Sequence, residues 1–125
     1  MASQALLKSN NLFSSLNLLR EIIVVKTNGR SWARQVTVKA KDAYLVKDAS
    51  HGDIVKLGRL LGLLAKHGLA TKANGRRPVR WVLKRSVIEW AYFCNLKCFN
   101  DSSICGLYGI CPYHIVLGES IGNFN

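Results

Sequence analysis

Four thiols crowd the last third of this 125-residue chain, at Cys94, Cys98, Cys105 and Cys111, and no other cysteine is present. Cysteines gathered this way serve one local feature. Their spacing is Cys-x3-Cys-x6-Cys-x5-Cys, closing on Cys111-Pro112-Tyr113-His114. Structural zinc favours two tight Cys-x2-Cys knuckles that bring thiolates into a tetrahedron, and neither pair here has that spacing. An iron–sulfur cluster is bulkier and tolerates uneven separations, its last ligand is often followed by proline, and it needs an apolar wall against water. Ile104, Leu107, Tyr108, Ile110 and Tyr113 could build that wall, with Gly106 and Gly109 letting the backbone bend. Cluster, zinc and no metal stay open on spacing alone, in that order of preference. A radical-SAM site would need Cys-x3-Cys-x2-Cys and a longer chain. With four thiols at hand, His114 reads as a bystander.

The second chemistry is charge. Lys26 to Arg85 holds 15 Lys or Arg against Asp42, Asp48 and Asp53, a net of +12, whereas Ser86 to Asn125 holds Lys97 against Glu89, Asp101 and Glu119, a net of −2. Such an excess suits a polyanion, because Lys and Arg near phosphates release condensed counterions. Nucleic acid is the expected partner; merely solvated lysines are the plainer reading. The residues expected at the contact are Lys56, Arg59, Lys66, Arg76, Arg77 and Arg80.

The elements that must position these groups centre on Ser50 to Arg85. Ser50 and Asp53 make a capping box that should start a helix. Ile54, Leu57, Leu60, Leu61 and Leu64 then recur at three- and four-residue intervals, and Gly68 stands where a left-handed cap would end the helix. Leu69 to Ala73 and Val79 to Leu83 flank Asn74-Gly75-Arg76-Arg77-Pro78, which predicts a hairpin with a basic tip. Pro78, lacking an N–H, is expected at the start of an edge strand. In the second strand Trp81 should share the core side with Val79 and Leu83. Gly58 and Gly62 lie four apart inside the helix and predict close approach by another backbone, that of a neighbouring helix ahead of a DNA or protein partner, since each costs about 1 kcal/mol relative to alanine.

Upstream, Leu12, Phe13, Leu16, Leu19 and Ile23 keep helical spacing, while the β-branched run Ile22 to Val25 suggests a short helix passing into a strand. Thr27-Asn28-Gly29 is a turn, Val36 and Val38 alternate like strand residues, and Lys39 to Asp48 reads as a short helix with Ala40, Ala43, Tyr44 and Val46 or Lys47 on its apolar side. Trp32 is expected to pack at the edge of the core, ahead of stacking on a base or a partner surface. The length predicts one compact domain with an appendage: a winged helix-turn-helix at 1–86 and a small irregular cysteine-rich domain at 87–125, in a fold that is α+β and mainly α.

A basic winged helix joined directly to a four-cysteine tail ending in Cys-Pro resembles the β subunit of archaeal transcription factor E, in the family of TFIIE and the winged-helix initiation subunit of RNA polymerase III. The resemblance rests on Arg34 to Arg85, with its Asp53-Ile-Val-Lys-Leu-Gly-Arg-Leu-Leu-Gly helix and Arg77-Pro-Val-Arg-Trp strand, and on the four cysteines. It covers about two-thirds of the chain. It implies a 4Fe–4S cluster on Cys94, Cys98, Cys105 and Cys111, a heterodimer with the α subunit, and binding to the RNA polymerase clamp and promoter DNA in the preinitiation complex, where the factor promotes opening. Residues 118–125 match no part of that family.

The function classes excluded are consistent with this. No phosphate-cradling Gly-Lys motif or His-Glu-x-x-His is present and carboxylates are few, so an enzyme is not expected. No apolar run reaches the roughly 20 residues needed to span a bilayer. Lys8, Ser9, Asn10 and Asn11 break any apolar leader, so a reducing, cytoplasmic and nucleoid-associated setting is expected, in which disulfides are the lesser fate of the thiols. The alternatives are a redox-sensing iron–sulfur winged-helix regulator and a structural RNA-binding protein.

Overall fold

Residues 12–73, 75, 77–94 and 112–116 are described in the structure, a computed structural model. Helix α1 (Leu12–Lys26) buries Leu12, Leu16, Leu19, Ile22 and Ile23 along one stripe. The expected passage into a strand at Ile22 does not occur. Ile22 and Ile23 extend the helical stripe, so a helix buries both, whereas an extended chain would turn one outward. Burial outweighs the β-branched preference. The helix stops where Asn28 (φ 54) and Gly29 (φ 75) turn left-handed. The Asn28 N–H donates to the Val25 carbonyl and that of Gly29 to the Val24 carbonyl, which closes the last turn in a Schellman arrangement.

Strand β1 (Val36–Val38) buries both valines and exposes Thr37. Lys39 to Asp48, expected as a short helix, forms a 3-10 helix over Ala40–Leu45. Only Ala43 of its apolar residues is fully buried; Tyr44 and Leu45 face solvent. This turn is held by Asp42 instead, a carboxylate 4% exposed. It accepts the Lys39 N–H at 2.9 Å and pairs with Lys26 Nζ at 2.6 Å. Lys26 also donates to the Thr37 carbonyl at 2.7 Å, so one ammonium ties together the end of α1, strand β1 and the 3-10 helix.

Helix α2 (His51–Lys66) begins as expected. The Ser50 hydroxyl accepts the Asp53 N–H, the Asp53 carboxylate accepts the Ser50 N–H, and Leu57, Leu60, Leu61 and Leu64 are buried. Gly68 (φ 77) ends it, with the Leu69 N–H donating to the Leu64 carbonyl at 2.8 Å. Gly58 and Gly62 do not meet a neighbouring backbone. A Cβ at Gly58 would stand 3.7 Å from the Ala40 side chain, and one at Gly62 would stand 4.0 Å from the Trp81 ring, both ordinary contacts.

Strands β2 (Ala70–Lys72) and β3 (Trp81–Leu83) form the expected hairpin. The reversal is wider than the Asn-Gly pair required: Ala73 still donates to the Arg80 carbonyl, and the tip lies between them. The sheet is antiparallel with order β1-β3-β2, so β3 is its centre. Pro78 therefore does not start an edge strand; it sits in the tip, ahead of the ladder, where its missing N–H breaks no strand pairing.

Helix α3 (Arg85–Phe93) buries Val87, Ile88, Trp90 and Ala91 in the same core as α1. The helical turn at 112–116 brings Tyr113, Ile115 and Val116 back to that core, where Tyr113 meets Trp90 edge-on at 5.7 Å and stacks on Phe13 at 6.4 Å. The architecture is thus mainly helical with a small three-stranded antiparallel sheet. Among the described residues no helix is long and apolar enough to cross a membrane.

Candidate nucleic-acid interface

Helix α2 turns Leu57, Leu60, Leu61 and Leu64 inward, so positions three and four apart on the opposite side, Arg59, Gly62 and Lys66, share one outer row. Arg59 and Lys66 are exposed, and Lys56 is half-buried at the border of the row. The Trp81 ring reaches across to Gly62, where a Cβ would stand 4.0 Å from it, so the indole lies beside the basic row. Trp81 is accordingly half-buried rather than sealed in the core, and Val79 is exposed. Lys72 stands directly opposite Trp81 in the ladder and shares its face, which adds a cation to this side of the hairpin. Arg77 and Arg80 are exposed at the tip and its base. Arg76 lies outside the described residues.

Three of the described acidic groups are engaged in ion pairs of their own. Asp53 is engaged at the helix start, where the Ser50 backbone N–H, then Lys47 at 3.2 Å and the Ser50 hydroxyl, lower its pKa from 3.8 to about 2. Asp42 is buried against Lys26, and Glu89 pairs with Arg85 at 2.9 Å.

Trp32 overturns its expectation. It is 66% exposed, and the Arg30 guanidinium lies over its ring at 5.4 Å. The Arg30 Nε donates to the Thr27 carbonyl, which fixes the cation beside the indole. The turn that ends α1 carries Trp32 outward, so the core forms without it. An arginine two residues before a tryptophan, in a loop, was the available signal.

Of the four thiols, Cys94 is described; Cys98, Cys105 and Cys111 lie outside the described residues, as do the expected wall residues Ile104, Leu107, Tyr108 and Ile110. Cys94 caps α3, is buried, and its N–H donates to the Trp90 carbonyl at 2.9 Å. Its carbonyl accepts from Arg20, whose guanidinium rests 4.9 Å from the centre of the Trp90 ring and 5.8 Å from that of Tyr113. The Arg20 Nε and Trp90 Nε1 groups are buried and donate no hydrogen bond among the described residues. Both residues touch the Cys94 backbone, and N–H donors are groups that hydrogen-bond the sulfurs of a cluster. Among the described residues no three His, Cys, Asp or Glu side chains converge as a metal site.

Both ends of the cysteine segment are anchored, by Cys94 on one side and by residues 112–116 on the other, in one core. His114 is half-buried in the returning turn. Against protein-family profiles, curated proteins and solved structures, the chain shows no match.

Proposed function

We propose that the chain is a winged helix-turn-helix nucleic-acid-binding protein, with α2 as recognition helix and the β2–β3 hairpin as wing. Its role is that of a non-catalytic initiation-factor subunit acting with RNA polymerase on promoter DNA. The observation that carries this reading is the order α1, β1, 3-10 helix, α2, β2, β3 with β3 between β1 and β2, because it sets a basic hairpin beside the basic outer row of the helix before it. A recognition helix reads base edges in the major groove while basic wing residues hold flanking phosphates or the minor groove. Arg59 and Lys66 take the first task, with Lys56 at the border of that row; Arg76, Arg77 and Arg80 take the second.

The four cysteines would hold a 4Fe–4S cluster, with zinc as the alternative. The cluster would clip residues 95–111 into a docking surface for an α subunit or the polymerase clamp. The buried donors at Arg20 and Trp90 support that fit on the Cys94 side.

Pull-down with native RNA polymerase tests the assignment. Stoichiometric retention that survives nuclease treatment is expected, and loss of retention after nuclease would contradict a direct polymerase contact. Iron analysis of anaerobically purified protein tests the cluster: about four irons per chain are expected, and zinc or no metal would overturn it. One observation favours a redox-sensing regulator as the second reading: α3 begins two residues after β3 and ends on Cys94, linking hairpin and thiol by one rigid element. That reading requires a symmetric dimer footprinting a palindrome.

A further inference from the structure

Behind the hairpin, away from the outer row of α2, lies an open notch of about 230 Å3 lined by Lys26, Thr37, Lys39 and Arg80. Among the described residues no carboxylate lines it. The cations come from three separate elements, and their placement follows from the fold. Strand β1 runs antiparallel to β3 with Val38 opposite Trp81, so the next step along the ladder sets Lys39 opposite Arg80. Like charges facing each other across strands repel and are destabilising. An anion between them would turn that repulsion into attraction.

Lys26 closes the notch on the side of α1. Of its three N–H donors, one goes to the Thr37 carbonyl and one to Asp42, which fixes the ammonium and leaves one donor over. Asp42 offsets one charge, so the notch keeps two. Thr37 is exposed and adds a hydroxyl.

We infer that this notch binds a phosphate group, and that in the working protein the group is a backbone phosphodiester of the nucleic acid held by α2 and the hairpin. The inference rests on the nucleic-acid reading and deepens it. It assigns Lys26 and Lys39, which lie outside the winged-helix contact set, to a clamp on the backbone at the base of the wing. A phosphate held there positions the duplex and carries no sequence information.

The test uses the full chain, with backbone amide shifts followed in low salt. One titration uses inorganic pyrophosphate and the other a short DNA duplex. The variants are Lys39→Gln, at a half-buried position, with Arg80→Gln, at an exposed one, and Lys41→Gln as an exposed control outside the notch. Both probes should shift the amides of Thr37, Lys39 and Arg80. The double variant should weaken pyrophosphate at least about tenfold and lower the salt dependence of DNA binding by one to two phosphate equivalents, with the control unchanged. Pyrophosphate binding there without DNA binding would keep the notch as a free-anion site and sink the nucleic-acid reading. DNA binding with those amides unmoved, and the double variant equal to wild type for pyrophosphate, would overturn the notch alone. Binding of neither probe would overturn both.

Discussion

Asp53 gives up its proton far below the ordinary carboxylate range because the Ser50 backbone N–H, Lys47 and the Ser50 hydroxyl all favour its charged form. A carboxylate whose folded pKa is depressed adds stability that is complete above its unfolded value of 3.8 and disappears as pH falls towards 2. The Asp53 carboxyl resonance should therefore titrate with a midpoint near 2, and a midpoint near 3.8 would contradict the cap. Ser50→Ala should cost about 1 kcal/mol in urea unfolding. The capping box was legible because its two residues are three apart in sequence. The partnership of Asp42 with Lys26 was not, since nothing local pairs residues sixteen apart. Removing one member of a buried ion pair costs about 3–5 kcal/mol. Lys26 retains a quarter of its side-chain exposure, so Asp42→Ala should cost about 2–3 kcal/mol, and a loss well under 1 kcal/mol would show that the pair holds nothing together.

At the scale of elements, α2 and its glycine stop could be read directly, because amphipathic spacing and caps are local signals. The boundary of α1 could not. Ile22 to Val25 carry strand propensity, and their helical state depends on a core that the sequence does not display. Pro78 misled for a related reason: strand order is a long-range property, so a residue suited to an edge was placed on one, when the centre strand simply starts later. Gly58 and Gly62 offer a sharper test. Both positions have room for a Cβ, so Gly58→Ala and Gly62→Ala should each stabilise α2 by up to about 1 kcal/mol. Gly68→Ala, at φ 77, should destabilise. A thermal-unfolding series reads all three, and destabilisation at Gly58 or Gly62 would mean that closer packing is needed there than the structure provides.

Across the whole molecule, charge and fold agree. The segment with a net of +12 supplies the outer row of α2, the hairpin and the notch, while the weakly acidic remainder begins with a helix that completes the core. Trp32 shows how composition alone fails at this scale: a large apolar residue counted towards the core belongs to the surface. The expected cysteine ligand set remains three-quarters outside the described residues, and its support comes from Cys94 and its surroundings. The central claim is that α2 and the hairpin together hold a nucleic-acid backbone. The most direct measurement is the salt dependence of duplex-DNA affinity for wild type and for Arg59→Gln with Lys66→Gln and Arg77→Gln. Each lost phosphate contact should lower the log–log slope by about 0.9, so loss of Arg77 should take about 1 from it, while loss of Arg59 and Lys66 should weaken affinity and relax sequence preference in a protein that still folds. An unchanged slope, or a wild-type protein with no measurable affinity at low salt, would contradict the account.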